Sequence, residues 1–146
     1  MEKNKIDIDL KTVSNAALAY LGDSVIEVCV REHLVSLGIS TSAHLNRASL
    51  DFVRASAQAE AMKKILPILS EEETAVFKRG RNIGHTNTPK SASVGEYRMA
   101  TGMEALFGWL HLLGESERIR ELFCAAYDIE KIFENKERNT KWQIPK

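Results

Sequence analysis

Residues 15–30, NAALAYLGDSVIEVCV, decide the fold. From Ala16 to Ile26 every residue is apolar or small except Asp23 and Ser24. A surface helix shows one apolar stripe and one polar face. This segment is apolar nearly all round, so it is expected at the centre of a helical bundle. A second segment of the same kind is MATGMEALFGWLHLL, residues 99–113, whose only formal charge is Glu104. Two such helices are expected to cross in the core and bring their lone acids together.

On either side of these segments the apolar spacing is helical along most of the chain, with prolines only at positions 67, 89 and 145. The pattern predicts an all-α protein. A first helix covers about 14–36, capped by Ser14 and ended by Gly38. A second covers about 41–66, as one helix or two, with Pro67 at its end. A third opens on Ser70-Glu71-Glu72-Glu73, which has capping-box spacing, and ends near Arg81. A polar loop spans about 82–92. A fourth helix covers about 93–113 with Gly114 as its C-cap, and a fifth about 116–135. One catalytic-size domain, residues 1–135, and a polar tail, 136–146, are expected.

The 146 residues suffice for one sizeable core, and 44% apolar with 27% charged residues is ordinary globular composition. No apolar run approaches the roughly 20 residues of a membrane span, and MEKNKIDIDL is not a signal peptide. A cytoplasmic protein without a membrane partner is expected. Cys29 and Cys124 sit in apolar surroundings and read as buried free thiols. Lys and Arg total 20, as do Asp and Glu, so a polyanion would be met locally. The local candidate is residues 78–98, where Lys78, Arg79, Arg81, Lys90 and Arg98 face a single acid, Glu96. An ordinary solvated loop and helix end explains that segment almost as well.

Taken singly, Asp23 and Glu104 are explained by a pairing arginine or a neighbouring helix end. The small residues beside them favour a site: Ala19 one turn before Asp23, Gly22 next to it, and Gly108 one turn after Glu104. Glycine inside a helix costs about 1 kcal/mol relative to alanine. These residues are expected to leave room for a hydrated ion and a phosphate, and oxygen ligands with retained water suit magnesium. Glu27 either steadies a metal-bound water or pairs with Arg31; the i,i+4 pair is the simpler reading. His111 reads as a satisfied core histidine, and no serine or cysteine has a histidine partner for nucleophilic catalysis.

Tyr20-Leu21-Gly22-Asp23-Ser24-Val25 resembles the signature helix of the ribonuclease III endonuclease domain, and Glu104-Ala105-Leu106-Phe107-Gly108 resembles its second acidic motif. The blocks LAYLGDSVIEVCVREHL, LNRASLDFVRASAQA, FKRGRN and TPK…YRMATGMEALFGWLHLLG, in this order, resemble the compact Mini-ribonuclease III subfamily. The resemblance covers about 13–135. The wider family carries further acids where this chain has Ala19 and Thr101; small or hydroxyl residues there are similar to the compact subfamily. So is the lack of a separate double-stranded-RNA-binding domain after residue 135.

The resemblance implies a ribonuclease III-like helical bundle acting as a homodimer. It implies cleavage of double-stranded RNA to 5′-phosphate and 3′-hydroxyl ends, in maturation of a large-subunit (23S) ribosomal RNA precursor. Asp23 and Glu104 would be catalytic and hold Mg2+, with Mn2+ as a substitute, and Thr101 would hydrogen-bond a metal water. Arg79, Arg81, Lys90 and Arg98 would contact RNA phosphates, and Gly84-His85-Thr86-Asn87 would order on binding. Besides the resemblance, the fourth helix is apolar on too many faces for a small monomer. The rival reading is a non-catalytic RNA-binding or ribosome-associated module on the same fold.

Overall fold

In the computed structural model the described residues are 7–83 and 93–130. Lys90, Gly84-His85-Thr86-Asn87, the end expected at residue 135 and the tail 136–146 lie outside them. Six α-helices and no strands occur among the described residues: α1 Asn15–Ser36, α2 Ser42–Val53, α3 Ala55–Ile65, α4 Glu71–Arg81, α5 Val94–Leu112 and α6 Ser116–Ala126. The all-α expectation holds.

The two nearly all-apolar helices are the axis of the bundle. α1 packs along α5, and α5 is further covered by α3, α4 and α6. Val30, Met62, Ile65, Met103, Leu106, Phe107 and Leu122, from α1, α3, α5 and α6, are fully buried in one core. The helix ends follow local chemistry. Ser14 accepts from the Ala17 N–H at 3.0 Å. Ser70 with Glu73 and Ser93 with Glu96 both close capping boxes, the second a start signal that sequence reading passed over. Gly38 and Gly114 take the positive φ that ends α1 and α5.

Two boundaries are set by tertiary contacts: one decides between one helix and two over 41–66, and the other ends α6 earlier than expected. The 41–66 segment breaks at Arg54, which is extended. The break frees the Phe52 carbonyl, which accepts a 2.7 Å hydrogen bond from the Tyr127 hydroxyl. α6 stops at Ala126 rather than near 135. Asp128 adopts φ 54°, and the Ile129 N–H bonds the Cys124 carbonyl at 2.8 Å, closing a Schellman turn. Lys64 on α3 holds Asp128 there through an ion pair.

The expected cause of dimerisation is also corrected. α5 is apolar on many faces because other helices cover them, not because a second chain must. Among the described residues the three most exposed large apolar side chains lie on α1: Tyr20 is 84% exposed, Val28 56% and Val35 62%.

A candidate two-carboxylate active site

The α1–α5 crossing is a backbone-to-backbone contact. A Cβ at Gly22 would overlap the Glu104 carbonyl and lie 2.8 Å from the Gly108 nitrogen. A Cβ at Gly108 would fall on the Leu18 carbonyl and lie 3.0 Å from the Gly22 nitrogen. This corrects the expectation that these glycines leave space for an ion. The opposing helix fills them, and Ala19 is likewise packed with Leu18, Val76 and Ala105. The open side of the site is solvent at Asp23, which is exposed.

The crossing sets Asp23 beside Glu104. Burial pushes the Glu104 carboxyl up to about 8, aided by the Asp23 charge and a hydrogen bond between the two groups. Two carboxylates placed together cannot both ionise freely, so the pair holds a proton or takes a cation. No third His, Cys, Asp or Glu gathers into a metal-binding group among the described residues. Two carboxylates with an open solvent side fit a magnesium-like ion, which keeps several waters and needs few protein ligands. They do not fit a closed zinc site.

The supporting candidates separate cleanly. Glu27 accepts from Arg31 at 3.0 Å, the pair favoured by spacing. Thr101 is buried, and its hydroxyl donates to the Tyr97 carbonyl at 3.0 Å. The donated proton goes to its own helix, and the hydroxyl oxygen keeps its acceptor lone pairs. Cys29 is half-buried, and burial pushes its thiol up to about 12, which makes it a poor nucleophile.

Lys78, Arg79 and Arg98 are exposed. Arg81 is half-buried, with its guanidinium 5.6 Å over the Phe77 ring and its Nε donating to Asn82 at 3.3 Å. The last turn of α4 rests on α5 at Thr101, Gly102 and Ala105, so this basic end lies on the stretch of α5 that carries Glu104. Arg98 precedes Glu104 by about 9 Å along the helix axis at about 1.5 Å per residue.

Sequence reading missed Arg118. It donates to buried Glu73 through Nε at 2.9 Å and Nη2 at 2.8 Å, and to the Ile68 carbonyl at 2.8 Å. The Arg118 hydrogen bonds hold Glu73 below the usual carboxylate range, against the opposing effect of burial. Glu73 thus caps α4 and ties it to α6. The capping spacing revealed the first role; nothing local signalled the second.

Two helices crossing at paired glycines, each presenting one acid, are the core of an endoribonuclease domain: the chain belongs to the ribonuclease III domain family, whose model matches residues 16–115. Within that class the relatives are compact proteins. Mini-ribonuclease 3 of Enterococcus faecalis is 42% identical over 132 residues, covering 89% of this chain and 98% of that one. Mini-ribonuclease 3 of Clostridium tetani is 43% identical over 115 residues, covering 78% of this chain and 76% of that one. A crystal structure of a Fusobacterium nucleatum protein superposes with a TM-score of 0.72 at 33% identity, over 80% of this chain and 93% of that one. The chain is an endoribonuclease of the ribonuclease III type.

Proposed function

We propose that the chain is a divalent-metal-dependent endoribonuclease that cuts double-stranded RNA to 5′-phosphate and 3′-hydroxyl ends. The observation that carries this reading is the meeting of Asp23 and Glu104, with Glu104 raised to about 8 by burial and by its neighbour. Asp23 and Glu104 are the ligands, and magnesium, or manganese in its place, is the ion they suit. When bound, that ion supplies an activated water and charge relief at the phosphate. As a ligand Glu104 would be ionised, with both carboxylate oxygens acting as acceptors. Arg79, Arg81 and Arg98 hold flanking phosphates from the α4 end and the start of α5. Lys90 joins them on sequence grounds. Duplex RNA is recognised chiefly through shape, phosphates and 2′-hydroxyls, which asks for a local basic surface rather than a basic protein.

The substrate we favour is a precursor of large-subunit (23S) ribosomal RNA in the cytoplasm, on the resemblance to the compact relatives. No helix among the described residues is long and apolar enough to cross a membrane. The working unit we favour is a homodimer, each copy cutting one strand. Its support is the apolar face of α1, where Tyr20 and Val28 stand beside a groove of about 350 Å³ between α1 and α6. Leu21, Val25, Cys29 and Ile119 line that groove.

The test is duplex RNA with magnesium, followed by mapping both ends of the products. Asp23→Asn and Glu104→Gln should each abolish cleavage with the helical fold intact. Undiminished cleavage by either variant would remove the assignment. Light scattering should give about twice the 16.4 kDa chain mass, and Tyr20→Arg should halve it. A wild-type monomer that makes paired cuts would remove the dimer.

A further inference from the structure

The end of α4 is not simply near Glu104; Gly80 and Gly102 let it sit on α5 with no room for a side chain at either position. A Cβ at Gly80 would meet the Ala105 Cβ at 2.5 Å, the Gly102 Cα at 3.1 Å and the Thr101 carbonyl oxygen at 3.3 Å. The contact is reciprocal. A Cβ at Gly102 would meet the Phe77 ring at 2.6 Å and the Phe77 carbonyl oxygen at 2.9 Å. The same ring carries the Arg81 guanidinium at 5.6 Å. Phe77, Gly80 and Arg81 on one helix, and Thr101, Gly102 and Ala105 on the other, therefore form one rigid joint. Ala105 follows Glu104 directly, and Lys78, Arg79 and Arg81 surround Gly80.

We propose that Gly80 is a positioning residue for the reaction: by admitting α5 into backbone contact, it fixes the distance from the phosphate-holding turn Lys78–Arg81 to Glu104. The inference rests on the reading that Arg79 and Arg81 hold RNA phosphates. The duplex is a rigid ruler. A phosphate gripped by that turn and the phosphate to be cut are a set distance apart, so the protein must hold the two at the matching separation. Added bulk at Gly80 leaves the charges in place but shifts them relative to Glu104.

Ordinary carbon contact begins near 3.4 Å, so Gly80→Ala requires α4 and α5 to part by about 1 Å. A misplacement of that size costs about a hundredfold in rate where alignment matters. Gly80→Ala should lower kcat at saturating duplex RNA ten- to a hundredfold. Its affinity for duplex RNA in chelator should stay within about threefold of wild type, because every basic side chain remains. The decisive variant is the size swap, Gly80→Ala with Ala105→Gly. It removes the 2.5 Å clash and leaves only contacts that yield by tenths of an ångström. The swap should recover kcat to within about threefold. Ala105→Gly alone should keep kcat although its Tm falls, since glycine is unfavourable within a helix.

A role in stability alone predicts the opposite pattern: kcat would track Tm across the four proteins. That correlation, or wild-type kcat in Gly80→Ala, would overturn the proposal. If Gly80→Ala does not fold, Ala105→Ser drives a smaller wedge into the same joint, and the same loss of kcat at near-constant affinity is required of it. An Asp23→Asn protein that still cuts would bring down the catalytic reading itself. Active-site variants that behave as expected, with kcat following Tm in the Gly80 series, would bring down only the positioning role.

Discussion

Replacing Glu104 with glutamine should make the metal-free protein more stable at alkaline pH, the reverse of the usual result for a partly buried polar residue. Burial and the Asp23 charge raise the Glu104 carboxyl from 4.5 to about 8. The folded chain therefore holds a proton that the unfolded chain releases above about 4.5. A group shifted in this sense imposes no penalty below its unfolded value. Stability then falls as pH rises toward 8, by at most about 1.4 kcal/mol per pH unit, and the penalty is constant beyond. The full span amounts to about 5 kcal/mol at most. Glu104 is only partly buried, and solvent at the Asp23 side reduces this to about 2–3 kcal/mol.

Glutamine keeps a donor for Asp23 and cannot ionise. At about 2–4 °C per kcal/mol for a chain of this size, Glu104→Gln should melt about 5–10 °C above wild type at pH 8.5 in chelator. The two should converge near pH 4.5. Glu73 and His33 also titrate, but they are present in both proteins and cancel in the difference. Magnesium should raise the melting temperature of wild type and leave that of the variant unmoved. The measurement is a calorimetric pH series with and without the ion. A difference between the proteins that does not vary with pH, or a variant less stable at pH 8.5, would refute the electrostatic account of the pair.

Other consequences are independent of that pair. Arg79→Ala with Arg81→Ala should reduce the salt slope of duplex binding by about one for each phosphate no longer held; Arg81→Ala also removes the cation from the Phe77 ring, at a cost of about 0.5–1 kcal/mol. An unchanged slope with a large drop in Tm would mean that these arginines hold the fold. Arg118→Ala should destabilise by about 3 kcal/mol by stranding buried Glu73, measured by urea denaturation, and a loss under about 1 kcal/mol would contradict the lock between α4 and α6. His33 packs edge-on to Phe52 at 5.7 Å, and burial holds it below its ordinary 6.5. Burial disfavours its charged form, so its contribution is full above 6.5 and is lost as pH falls below; His33→Phe should flatten that acid limb in a Tm series.

How much of this is legible in the sequence depends on whether the determinant is local. The central pairing of α1 and α5 can be read because a helix apolar on all sides has nowhere else to go. The acids stand out for the same reason, as charges where charge is costly. The capping residues Ser14, Ser70 and Gly114 act within one turn and are equally plain. The break within 41–66 is open in the sequence, as one helix or two, and its place at Arg54 is not legible because the contact that uses it, from the Tyr127 hydroxyl, lies 75 positions from Phe52. Arg118 and Glu73 are 45 apart and just as silent in the sequence.

The glycines show the limit most clearly. A missing side chain records that something is absent, not what occupies the place. In sequence Gly22 and Gly108 suggest room for a ligand, yet each is filled by the other helix's backbone. The two readings make different demands on the same position. A cavity would accept alanine at Gly22 with some loss of ligand. A contact cannot, because the new methyl lands on the Glu104 carbonyl and must push α5 away. Gly22→Ala should therefore destabilise the fold by about 3 kcal/mol and abolish cleavage together. A stable Gly22→Ala protein with weakened magnesium binding alone would restore the cavity. In this chain the residues that make room and the residues that set distance look identical in sequence, and only the helix on the other side tells them apart.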